Sequence, residues 1–104
     1  MMCGGNSAPK QPTDEDREYV ASVRDIIEQK AGKQYAQFEL IHFTTQVVAG
    51  TNYWLKIKVG DGATDYIHAK VYKKLPHYGG GSEVTILHES QSADAEFDIR
   101  AQPN

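Results

Sequence analysis

The stretch FELIHFTTQVVAGTNYWLKIKV, residues 38–59, decides how the chain folds. Phe38 to Val48 is rich in β-branched and aromatic residues, which suit a pleated, half-buried surface. From Tyr53 the pattern alternates strictly. Tyr53, Leu55, Ile57 and Val59 fall on one side, and Trp54, Lys56 and Lys58 on the other. Side chains alternate across a strand with a period of two, so this is a strand with one core face. Two strands with a short break between them predict an antiparallel hairpin.

Downstream, Gly60, Asp61 and Gly62 mark a turn. Asp65 to Lys74 alternates again, with Ile67, Ala69 and Val71 opposite Tyr66, His68, Lys70 and Tyr72. Leu75 to Ser82 holds Pro76 and three consecutive glycines and reads as a loop. Val84 to Glu89 reads as a fourth strand, and the pattern beyond Ser90 has no clear period.

Upstream, the period changes to that of a helix. Tyr19, Val20, Val23, Ile26 and Ile27 recur at steps of three and four. Thr13 is a suitable N-cap, and Asp14, Glu15 and Asp16 lie where acids favour the helix dipole. Gly32 supplies a left-handed stop. Residues 1–12 are rich in Gly, Ser and Pro and read as a flexible arm, leaving 13–104 as one domain. An amphipathic helix followed by strands joined by short turns predicts an α+β fold. The helix packs across one face of an antiparallel sheet of four or five strands. The other face is expected to stay wet, which accounts for the lysines of the second strand.

Composition excludes several function classes. The 104 residues carry a net charge of −3 with acids and bases interspersed. No basic run offers a nucleic-acid footprint. No apolar run approaches the ~20 residues that span a bilayer, and the polar N-terminus has no signal-peptide core. A single cysteine, Cys3, rules out an internal disulfide and fits a reduced, cytoplasmic compartment. Pairing Cys3 with His42, His68, His77 or His88 would make a poor nucleophilic site, because Cys3 sits on the arm. The histidines lack metal-ligand spacing, so neither a metal nor another cofactor is expected. Asp61 and Asp65 flank a turn, and turn chemistry explains them.

One segment has two readings, the plain end of the first strand or an unusual turn. Gln46-Val47-Val48-Ala49-Gly50 places two valines and an alanine at a hairpin turn, where Gly, Asn, Asp, Pro or Ser normally serve. A local rule broken in this way is expected at a functional site.

That segment matches the Gln-x-Val-x-Gly signature of the cystatin superfamily. The longer run Gln46 to Tyr53 resembles the form found in the single-domain stefins. Met1-Met2-Cys3-Gly4 resembles the stefin N-terminus, and Leu75-Pro76-His77 resembles the second stefin hairpin loop. The landmarks occur in family order over roughly residues 1–89. The stretch Glu96–Asn104 departs from the short polar ending, closed by an aromatic residue, that is common in stefins. No C-terminal contact is therefore carried over.

The resemblance implies the cystatin fold and reversible, tight-binding inhibition of papain-like cysteine proteases of the cathepsin type, without enzyme activity. It implies a wedge of three parts that occludes the protease cleft. These are Met2, Cys3 and Gly4 on the arm; Gln46, Val47, Val48, Ala49 and Gly50 in the first loop; and Leu75, Pro76 and His77 in the second. The alternative is a protein-binding or scaffold module of the same fold without inhibition. The expected state is a monomer, with strand exchange at the Val-rich turn and oxidation of Cys3 as two routes to a dimer.

Overall fold

The computed structural model of the protein describes residues 11–75 and 80–95. Helix α1 spans Asp14–Ala31. Thr13 caps it in an extended conformation. Its Oγ1 accepts from the Asp16 amide at 3.4 Å, while the Asp16 carboxylate accepts from the Thr13 amide at 2.8 Å. This reciprocal pair satisfies two backbone donors that the first turn leaves open. At the other end Gly32 takes φ 77°, and its amide donates to the carbonyls of Glu28 and Gln29.

Four strands follow: β1 Glu39–Val48, β2 Gly50–Lys58, β3 Tyr66–Lys73 and β4 Ser82–Gln91. They form one antiparallel meander in the order β1-β2-β3-β4. The α+β expectation therefore holds, with four strands among the described residues.

The apolar stripe of α1, centred on Val20, Val23 and Ile27, meets the inward residues of the sheet. Leu40, Phe43, Leu55, Ile57, Ile67, Ala69 and Val71 are all buried there. Burying an aliphatic side chain of this kind contributes roughly 1.5–3 kcal/mol. A polar knot locks the link from α1 to β1. The Glu28 carboxylate accepts from Arg24 Nε at 3.1 Å and from the Tyr35 amide at 3.0 Å. Those two bonds hold the Glu28 carboxyl below its usual pKa, the Tyr35 amide chiefly and Arg24 next. The Arg24 guanidinium also donates to the Tyr35 carbonyl and lies 4.9 Å from the Phe38 ring centroid. Tyr35 donates to Glu89 on β4 at 2.9 Å, so the linker ties the helix to the far edge of the sheet.

The opposite sheet face corrects an expectation. It is not wet: Trp54 and His68 are fully buried, and Lys56 and Lys70 are 2% exposed. The chain after β4 folds back over this face. Lys56 Nζ donates to the carbonyls of Ala93 at 2.5 Å and Ala95 at 2.7 Å. The lysine stems fill space between the strands while the Lys56 ammonium bonds this returning segment.

Candidate functional site

The first hairpin turn is tighter than its sequence suggested. Val47 pairs with Thr51 and Val48 with Gly50, so both valines belong to β1 and Ala49 alone makes the turn. Such a reversal needs unusual backbone geometry, and Gly50 supplies it with φ 117°. L-residues avoid that region because of their Cβ, whereas glycine enters it freely. Below the turn, Asn52 Nδ2 donates to Gln46 Oε1 at 3.1 Å, tying the two strands together by their side chains.

The result is an apolar tip on a short, paired stalk. Val47 is 70% exposed and Val48 43%, the exposed large hydrophobics among the described residues. Single exposed apolar residues are ordinary, whereas these two are adjacent and form a small apolar patch at the hairpin tip.

The second hairpin turn lies at the same end of the sheet. Thr51, at the start of β2, pairs with Lys73 at the end of β3, and Lys73 pairs with Ser82 at the start of β4. The Lys74 amide donates to the Gly81 carbonyl at 3.0 Å, and the Gly80 amide to the Leu75 carbonyl at 3.2 Å. These bonds close the base of the loop and leave Leu75 half-buried at its start. Pro76 and His77 lie outside the described residues, as do Met2, Cys3 and Gly4.

The early turns of α1 reach this same end. The hydroxyls of Tyr19 and Ser82 share a hydrogen bond at 2.8 Å. The Tyr19 and Tyr53 rings pack at a 37° tilt with centroids 4.7 Å apart, and the Lys73 ammonium sits 5.1 Å from the Tyr19 centroid. Burial raises the Tyr19 pKa, so its hydroxyl stays a neutral bonding partner. Of the residues predicted from sequence, the structure thus brings together Gln46 to Gly50 and Leu75. Sequence reading missed Tyr72, whose hydroxyl donates to the Ala49 carbonyl. No local pattern marks a side chain that reaches the tip of a hairpin from a third strand.

What the arrangement presents is an exposed apolar tip beside the base of a second hairpin. Among the described residues no cluster of three His, Cys, Asp or Glu side chains is placed to hold a metal. His42, His68 and His88 sit within the strands, on the face opposite α1. No helix among the described residues is long and apolar enough to cross a membrane.

Comparison with known proteins agrees with the architecture. The cystatin domain family model matches residues 4–92. A cystatin-B from Oplegnathus fasciatus is 46% identical over 92 residues, covering 88% of this chain and 90% of that protein. Human cystatin-B is 43% identical over 77 residues, covering 74% of this chain and 76% of its own length. Leukocyte cysteine proteinase inhibitor 1 of Sus scrofa is 42% identical over 77 residues, covering 74% and 73%.

Proposed function

This chain belongs to the cystatin family, in its single-domain stefin branch, and from that premise we propose that it is a reversible, tight-binding inhibitor of papain-like cysteine proteases. Its similarity to proteins named as cystatin-B and as a cysteine proteinase inhibitor supports inhibition rather than catalysis. The observation that carries the reading in this molecule is the exposed pair Val47 and Val48 on a tip held by strand pairing on both sides.

The mechanism we propose is occlusion. The tip enters a substrate cleft as a preordered apolar edge, so little conformational entropy remains to be lost on binding. Leu75, Pro76 and His77 add a second contact from the neighbouring hairpin. Met2, Cys3 and Gly4, on an arm formed by residues 1–12, extend the wedge into the pockets that take substrate side chains. The inhibitor survives because no peptide bond is offered in a near-attack geometry. The domain of residues 13–104 acts as the handle, and the cytoplasm is the compartment in which we place it.

Titration of papain with the reduced protein tests this. Activity is expected to fall stoichiometrically and to return on dilution. Val48→Asp puts a charge into the desolvated contact, and weakening on the order of 30-fold or more is expected, the size of a hot-spot loss. Because Val48 is exposed at the tip, its unfolding midpoint should change little. Full papain activity at micromolar excess of the wild-type protein would instead favour a binding module of the same fold.

A further inference from the structure

A strand that is not part of the first hairpin reaches its tip. Tyr72 lies on β3, opposite Asn52 of β2, which is opposite Gln46 of β1. The three side chains therefore share one face in a row just behind the turn. Asn52 and Gln46 bond each other within this row. Tyr72 reaches further: its hydroxyl donates to the carbonyl of Ala49, the single residue of the turn.

The same strand closes down on Gly50. A Cβ built there would stand 2.5 Å from the Lys73 carbonyl oxygen, 2.9 Å from Tyr72 Cε1 and 3.1 Å from the Tyr72 hydroxyl. The tip is thus seated on the end of β3. This matters because the turn lacks ordering groups of its own. Val47, Val48 and Ala49 have no side-chain donor or acceptor with which to bond the backbone locally, as Asn, Asp or Ser would in a turn. The polar group that fixes the Ala49 carbonyl comes instead from 23 positions along the chain.

We propose that Tyr72 is a positioning residue for the protease-binding tip, latching the Ala49 carbonyl so that Val47 and Val48 are each held in one fixed orientation. Lys73, the next residue, pairs with Ser82 at the base of the second hairpin. The latch therefore sets the first turn relative to the base of the second hairpin. Its effect on binding rests on the inhibitory reading above, but its effect on the free protein does not.

Tyr72→Phe tests the latch, since it keeps the ring against Gly50 and removes only the hydroxyl. The thermal midpoint is expected to stay near wild type, because an exposed hydrogen bond at a loop contributes little to global stability. The backbone order parameters of Ala49 and Gly50, from ¹⁵N relaxation of the free protein, are expected to fall from the rigid range near about 0.85 toward about 0.6. With papain, dissociation should quicken by about three- to tenfold with association unchanged. Unaltered order parameters in Tyr72→Phe would overturn the latch whatever papain does. Looser tip dynamics with unaltered papain dissociation would overturn its positioning role. A looser tip in a protein whose wild type does not inhibit papain would leave the latch standing and remove the inhibitory reading.

Discussion

At Gly50 two independent demands coincide, and a comparison with Gly32 separates them. Both residues have positive φ, 117° and 77°. Around Gly32 nothing lies within 4 Å of a would-be Cβ, whereas Gly50 faces a backbone carbonyl at 2.5 Å. Gly32→Ala meets only the left-handed backbone penalty, about 1 kcal/mol. Gly50→Ala meets a penalty at a less favourable φ and must also push the tip off β3, so a loss of about 1–3 kcal/mol is expected. The two also differ in function. Gly32→Ala should inhibit papain as the wild type does, whereas Gly50→Ala should inhibit more weakly because the displaced turn presents Val47 and Val48 differently. Urea midpoints and inhibition constants measured on both variants check this. Equal effects on binding would show that the contact of Gly50 with β3 does not set the tip.

Elements were legible in proportion to how local their causes are. Thr13 and Gly32 could be read as caps because capping is chemistry between neighbours in sequence, and the helix begins and ends at them. Thr13→Ala removes the hydroxyl from that capping box and should lower stability by about 1 kcal/mol, seen as a lower urea midpoint at unchanged slope. The inward faces of β2 and β3 were legible from alternation. At the turn the sequence left two readings open, and the strand-end reading holds: Val47 and Val48 belong to β1, because Gly50 pairs directly with Val48 and is seated by β3. The apolar signature at residues 46–50 was visible, but the device that supports it, Tyr72, lies on another strand. The face of Trp54, Lys56 and Lys58 was correctly grouped but wrongly expected to be wet. Alternation says which residues share a face and nothing about what arrives to cover it, and here residues 93–95 return from beyond β4.

That covered face gives the whole molecule a dependence on pH. One row crosses all four strands: His42 pairs with Lys56, Lys56 with His68, and His68 with His88. Burial pushes His68 down to about 4, helped by the charges of Lys56, His88 and His42. His42 is lowered by burial and then by Lys56. Burial also lowers Lys56, against the opposing pull of Asp94 in the returning segment, and lowers Lys70 on the same strand as His68. Since the folded His68 binds its proton more weakly than the ordinary value of 6.5, the unfolded chain holds the extra proton between those two values. Stability from this group is therefore complete above about pH 6.5 and is lost as pH falls toward about 4, by up to about 3 kcal/mol. Lys56→Met separates two roles of the lysine. It strips the Ala93 and Ala95 carbonyls of their charged donor, so stability at pH 7 should drop by about 1–3 kcal/mol. It also removes the positive neighbour, so the His68 pKa should rise and the further loss of stability from pH 7 to pH 5 should shrink. NMR titration of the His68 ring and urea midpoints at the two pH values measure both effects. A His68 titration unmoved by Lys56→Met would mean that burial, with His88 and His42, holds the imidazole neutral without the lysine, and that the lysine serves only to bind the returning segment to the sheet.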